Sequence, residues 1–156
     1  TENRRYGPYH MDKKKPKLKK ISINYDGQIM QTAFNMAVSN NRLDIVKLLL
    51  SNPNTDINVK DLYKNSKNEY NGKGPLDIAV SHSNVDMIDL LLSQPKLVLK
   101  ISEMNELIKE NTKNMEEYVS FNKKYSNYEE QIKKTKEFEE IDNLLKERLN
   151  SLNEWF

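Results

Sequence analysis

The chain has no cysteine among its 156 residues and only two histidines, four glycines and five prolines. Without cysteine it forms neither a disulfide framework nor a thiolate metal site, which argues against zinc chemistry. No apolar run approaches the roughly 20 residues that a membrane-spanning helix needs, and the first residues are basic and polar where a secretory signal is apolar. We therefore expect no membrane span.

The groups that would carry catalysis are also missing. An enzyme needs convergent nucleophiles, bases, metal ligands or phosphate-binding glycines, and the four glycines never take a phosphate-loop spacing. His10 and His82 have no partner at a suggestive spacing, so both are read as structural or solvated. We predict no catalytic, cofactor-binding or metal-binding residue and no small-molecule substrate.

Charge is unevenly distributed, although the net charge is only +2. Residues 1–30 contain eight Lys and Arg against three acids, residues 31–100 eight against seven, and residues 101–156 nine against thirteen. The chain thus has a basic head and an acidic tail. Since it begins at Thr1 and not at a methionine, we expect a fragment or a processed form of a longer protein.

Residues 1–20 cannot form a core, because they combine two prolines, one glycine and a run of lysines. We predict an extended basic arm. Its alternatives are a nuclear-localisation signal, a phosphate- or membrane-binding patch, a tether to an acidic protein surface, or a solvated tail. The candidate partner-binding residues of the arm are Arg4, Arg5, Tyr6, Tyr9, Lys13, Lys14, Lys15 and Lys17.

Two parts of the chain repeat one another at a spacing of 42 residues. Residues 32–39 (TAFNMAVS) match residues 74–81 (GPLDIAVS), and residues 43–51 (LDIVKLLLS) match residues 85–93 (VDMIDLLLS). In each unit a short amphipathic segment precedes a helix with apolar residues on most faces. The spacing predicts two helical hairpins of a repeat architecture.

These units resemble the ankyrin repeat, which has a period of about 33 residues, a T-P-L-H-x-A opening and two antiparallel helices. Residues 74–79 (GPLDIA) are the closer match and residues 32–37 (TAFNMA) the looser one. Residues 56–61 (DINVKD) are similar to the segment that leads into the family's β-hairpin finger. The resemblance covers about residues 22–97 and implies an all-α fold, a short ankyrin-repeat solenoid. It also implies a protein-binding surface and not a catalyst.

The chain departs from the family pattern in three ways. Asn35 and Asp77 replace the histidine of the opening motif, and each is short and polar enough to hydrogen-bond the turn backbone. Asn41 and Ser83 stand where the family has glycine between the helices, and serine adopts left-handed backbone less readily than asparagine. Residues 62–73 absorb most of the longer period, so we predict an elongated finger.

Two repeats need caps, because about three are required for stability. Ile21, Ile23 and Asn24 echo residues 56–58 and suggest the remnant of a preceding finger. After Pro95 the chain has no proline or glycine, and apolar residues follow at steps of three and four from Met115 onward. We predict a capping helix over residues 102–110 and one long helix, or a bent pair, over about 114–153.

The predicted long helix carries a wide stripe of aromatic residues. Its functional interpretation is a helix that forms a coiled coil or docks on a partner protein. Trp155 and Phe156 end the chain, and we expect them to dock because bare aromatic rings are costly in water. Further candidate partner-binding residues lie in the finger and in this segment. They are Tyr63, Lys64, Lys67, Tyr70, Lys73, Tyr118, Tyr125, Tyr128, Trp155 and Phe156.

These patterns divide the chain into an extended basic arm (1–20), ankyrin repeats (21–101) and a C-terminal capping, coiled-coil-like segment (102–156). The ankyrin region consists of repeat one (31–61), the long finger (62–73) and repeat two (74–101).

By the resemblance, we expect a non-catalytic protein–protein interaction scaffold whose partners are other proteins with an acidic surface. The alternative is a structural subunit of a large assembly, such as a microtubule or ribonucleoprotein particle, with the basic arm on an acidic surface. Nucleic acid is the less favoured partner of the arm. The expected location is intracellular, cytoplasmic or cytoskeletal, with the nucleus as the alternative.

Overall fold

The computed structural model describes residues 21–22, 30–61, 72–123 and 127–155. These residues form six helices and one short antiparallel β-ladder, which confirms the expected ankyrin-type helical architecture with a long helical C-terminal segment. The elements are β1 Ile21–Ser22, β2 Met30–Gln31, α1 Ala33–Ser39, α2 Leu43–Leu50, α3 Pro75–Ser81, α4 Val85–Leu92, α5 Ile101–Asn122 and α6 Tyr128–Asn153. The basic arm, residues 1–20, lies outside the described residues.

Each repeated motif folds into a pair of short helices that pack together, α1 with α2 and α3 with α4. The backbone at the two helix–helix turns is left-handed, with φ 52° at Asn41 and φ 54° at Ser83. This is the conformation that glycine adopts without a steric penalty. The turns therefore keep the geometry of the family's glycine although neither residue is glycine.

The C-terminal helices complete the stack. Helix α1 packs on α3 and α3 on α5, while α4 packs on α6. The pair α5 and α6 thus takes the place of a third repeat, with 22 and 26 residues where the repeat helices have seven or eight. The buried residues that these two helices add to the common core are Met104, Leu107, Ile141 and Leu145.

The C-terminal segment breaks later than the apolar pattern predicts. Helix α5 runs without interruption through residues 111–113, where we expected a boundary, and ends at Asn122. Asn111 is buried, and its side-chain amide donates to the carbonyl of Phe138 at 2.9 Å. Because Gln131 of α6 likewise donates to the carbonyl of Asn122 at 2.8 Å, the two helices fold back on one another instead of forming one strut.

The equivalent leucines of the two repeats differ in burial. Leu91 is fully buried, but Leu49 is only partly buried at the edge of the core. Val46 and Ile88, which are also equivalent, are both fully buried, so the register of the repeats is correct. The difference arises because α4 has both α3 and α6 as close neighbours, whereas α2 has α1.

Candidate interaction surface

Described residues on either side of the predicted finger form its base. The backbone N–H of Asp61 donates to the carbonyl of Lys73 at 2.9 Å, which joins the two chain segments that flank residues 62–71. Gly72 passes so close to the Asp61 carbonyl that any β-carbon at this position would collide with it. Glycine is therefore required at the base. Residues 62–71 lie outside the described residues, and with them the candidates Tyr63, Lys64, Lys67 and Tyr70.

Asn35 ties the first helix to this base. Its buried side-chain amide donates to the Val59 carbonyl at 2.9 Å and to the Asp61 carboxylate at 2.8 Å. Its counterpart in the second repeat, Asp77, instead accepts from the backbone N–H of Gly74 at 2.7 Å and caps α3. The difference follows from the chain, because the second repeat runs directly into α5 and has no finger for Asp77 to reach.

Two ion pairs connect the arms of the finger to α5. The ammonium group of Lys60 lies 3.1 Å from the carboxylate of Glu103, and that of Lys73 lies 3.7 Å from Glu110. Glu103 and Glu110 are seven residues apart, so they share one face of the helix. Such solvent-accessible pairs contribute about 0–1 kcal/mol each, so they add little to the stability of the fold.

The carboxyl of Glu103 is held by two donors. Lys60 contacts one of its oxygens, and the backbone N–H of Lys100 donates to the other at 3.2 Å. Partial burial acts to raise the pKa of Glu103, but the hydrogen bonds from Lys60 and Lys100 and the charge of Lys60 outweigh it and lower that pKa below its ordinary value. Glu103 therefore stays ionised at neutral pH.

A groove of about 230 Å³ lies between the finger base and α5. It occupies the place where a second finger would begin, since residues 93–100 connect α4 directly to α5. Asn58 joins its two sides, because its side chain donates to the Lys96 carbonyl and accepts from the Val98 N–H, both at 2.8 Å. Val98 is 71% exposed at the edge of the groove.

The remaining candidates are dispersed. Tyr118 is half-buried against Phe138, with ring centroids 6.0 Å apart, whereas Tyr128 is exposed. The predicted aromatic stripe is thus not one continuous face. Trp155 is 84% exposed, so it does not dock against the described part of the chain, and its role as a partner-binding residue stays a prediction. The arm residues Arg4, Arg5, Tyr6, Tyr9, Lys13, Lys14, Lys15 and Lys17, together with Tyr125 and Phe156, lie outside the described residues, and Lys73 is exposed at the finger base.

Few other residues in the described ranges are candidates for catalysis or metal binding. His82 is exposed at the end of α3, with Nδ1 3.0 Å from the Ile78 carbonyl oxygen. The hydrogen bond from Arg42 lowers the pKa of the exposed Asp44 to about 2, on the outer surface of α2. Among the described residues no group of acidic side chains and histidines is placed to hold a metal ion. None of the described helices is both long and apolar enough to cross a membrane.

Comparison with known proteins agrees with this geometry. A sequence model of the family described as ankyrin repeats (3 copies) matches residues 15–102, more than half of the chain. It has three copies where the recurring motifs indicate two. Neither the comparison with curated proteins nor that with solved structures gives a match. Given the family match and the stacked helical pairs, the chain belongs to the ankyrin-repeat family, whose repeats are generally protein–protein interaction modules and typically not enzymes.

Proposed function

We propose that the chain is a non-catalytic protein–protein interaction scaffold. In this proposal the partner binds the finger, residues 61–73, and the neighbouring inner helices α1 and α3. The observation that carries it is the anchored finger base, which Asn35, Glu103 and Glu110 hold from α1 and α5. A loop that is fixed at both arms loses less conformational freedom on binding than a free one, which favours affinity.

The proposed partner is a protein with an acidic surface. Lys60 and Lys73 lie at the base of the finger, and Lys64 and Lys67 lie within it. A basic surface of this kind attracts acidic partners and raises the association rate. Tyr63 and Tyr70 add apolar contact area with a polar end, as is common in interfaces. An intracellular location, cytoplasmic or cytoskeletal, is part of the same proposal.

Charge reversal in the finger tests this function. The variant Lys64→Glu with Lys67→Glu is expected to weaken binding of the native partner at least several-fold and to reduce its salt dependence. The matched control is Lys133→Glu with Lys136→Glu, which makes the same change at the same spacing on the exposed side of α6. Partner captured on the tagged chain is quantified from low to high salt. Equal weakening by both variants would contradict the assignment to the finger.

The basic arm is tested separately. Replacing Lys13, Lys14, Lys15, Lys17, Lys19 and Lys20 by serine is expected to weaken partner binding and flatten its salt dependence, with no change in thermal stability. A lower melting temperature would place the arm within the fold. Unchanged affinity would make it a solvated tail.

A structural subunit of a large assembly is the second candidate. It is favoured by the aromatic side chains that the C-terminal helices leave exposed, namely Phe121, Tyr128 and Trp155. Exposed aromatic side chains are available for contacts with neighbouring subunits, because they offer a large apolar area. Purification of the native protein in high salt separates the two functions, because a built-in subunit stays with its assembly while a partner held by charge dissociates.

A further inference from the structure

The groove between the finger base and α5 is suited to one side chain of a partner. Its apolar lining includes the buried residues Ile57, Leu76, Leu97 and Leu107. Its volume of about 230 Å³ is several times the ~30 Å³ share of one water and below the roughly 300–1,000 Å³ of sites for whole small molecules. An apolar side chain therefore fits better than a free metabolite.

The edge of the groove also offers backbone groups. The N–H groups of Val98 and Lys100 are bonded to the side chains of Asn58 and Glu103. Among the described residues, no hydrogen bond engages the N–H of Leu99 or the carbonyls of Leu97 and Val98. An extended peptide can pair with such free groups, as in recognition by strand addition.

A carboxylate already occupies the charged end of the groove. Glu103 places one oxygen on Lys60 and the other on the Lys100 N–H, and both Lys60 and Glu103 line the groove. The Lys60 side chain is 57% exposed and that of Glu103 34% exposed, so the pair is accessible and weak. A partner carboxylate that lies next to an apolar side chain can replace Glu103 on Lys60. Burial of that apolar side chain in the groove adds a favourable free energy that Glu103 does not supply.

We propose that this groove binds an extended segment of the protein partner, with an apolar side chain in the groove and a carboxylate on Lys60 in place of Glu103. The proposal rests on the protein-binding function proposed above and specifies one contact of that surface. It assigns Glu103 the role of an internal competitor, which holds Lys60 until an acidic, apolar segment displaces it. The ligand chemistry is that of a peptide in which leucine-like and acidic residues alternate.

Fluorescence anisotropy with labelled octapeptides tests the proposal on the full chain. The probe alternates leucine and aspartate, and the comparison peptides alternate serine with aspartate and leucine with lysine. We expect the leucine–aspartate peptide to bind more tightly than both others. Glu103→Gln should tighten binding of the leucine–aspartate peptide about twofold to fivefold, because the Glu103 carboxylate no longer competes for Lys60. Lys60→Gln should weaken it by a similar factor.

Two further variants control for charge and folding. Glu139→Gln, on the exposed surface of α6, makes the same net charge change as Glu103→Gln and should leave binding unchanged. Val98→Asp adds a negative charge at the rim of the groove, at a side chain whose exposure makes it tolerant of change, and should weaken binding of the leucine–aspartate peptide.

Three results would overturn the inference. Equal binding of the serine–aspartate peptide would show that the groove takes no side chain. An unchanged affinity for Glu103→Gln, or the same gain for Glu139→Gln, would remove the competitor role. If no peptide binds the chain or its variants, the groove is not a docking site. The finger charge reversal still decides the protein-binding function by itself, because it uses the native partner.

Discussion

Replacing Leu91 by alanine is expected to destabilise the protein far more than the same change at Leu49, although the two leucines are equivalent in sequence. Leu91 has no exposed surface, while Leu49 is only partly buried. Removing three carbon atoms at about 0.8 kcal/mol each costs roughly 2.4 kcal/mol in transfer free energy. The residual cavity brings the expected loss at Leu91 to about 3–5 kcal/mol.

At Leu49 the transfer free energy and the cost of the cavity are both smaller, because part of the side chain already contacts water and the site can relax. We therefore expect a loss of about 1–2 kcal/mol in the free energy of unfolding. For a chain of this length each kcal/mol lowers the melting temperature by about 2–4 °C. Circular dichroism with urea and thermal unfolding measures both changes. Leu48→Ala is the control, since Leu48 is exposed on α2, and its change should stay within about 0.5 kcal/mol.

An equal loss for Leu49→Ala and Leu91→Ala would contradict this expectation. It would mean that α6 does not cover α4, and that the C-terminal helices do not take the third place in the stack. A loss at Leu91 below about 1 kcal/mol would have the same meaning, because a fully enclosed leucine cannot be truncated so cheaply.

Four further changes test other parts of the structure. Ser83→Gly should raise stability by about 0.5–1 kcal/mol by relieving a left-handed serine, and Asn41→Gly should raise it less; a loss in thermal melting for Ser83→Gly would contradict the turn geometry. The pKa of Glu103 is lower in the folded state than its ordinary value of 4.5. Its contribution to the free energy of unfolding is therefore present above pH 4.5 and is lost as the pH falls through the lower folded-state pKa. Glu103→Gln should therefore lower the melting temperature at pH 7 but not once pH has fallen below that value, and a constant difference would exclude this linkage. Deleting residues 102–156 should leave the repeats unfolded or aggregating, whereas a soluble fragment that melts cooperatively near the full-length temperature would show that the cap lies elsewhere.

The repeats could be predicted from sequence because each is specified locally. The recurrence at 42 residues placed both helical pairs, and the positions of Asn41 and Ser83 identified the turns that prove to be left-handed. The helix break after Asn122 could not be predicted in the same way. No proline or glycine marks it, and Asn111, a polar residue that suggests an exposed boundary, is buried in the interior of α5.

The contacts of the candidate site could not be predicted from local sequence patterns either. Lys60 and Glu103 are 43 residues apart in the chain, and only the stacking of α5 on α3 brings them together. The seven-residue spacing of Glu103 and Glu110 indicates one helix face, but many exposed faces look alike. The groove arises because the connection formed by residues 93–100 is too short for a second finger. The importance of this short connection is visible only when the base of the neighbouring finger lies beside it.

Site-specific photo-crosslinking in the native cell tests whether the finger binds a protein. A photoreactive amino acid replaces Lys64 in the finger or, as the matched control, Leu48, which is exposed on the outer helix α2. We expect a protein crosslinked from position 64 and absent from position 48, with a yield that falls as salt rises. The same adduct from both positions, or an adduct from position 48 alone, would contradict it.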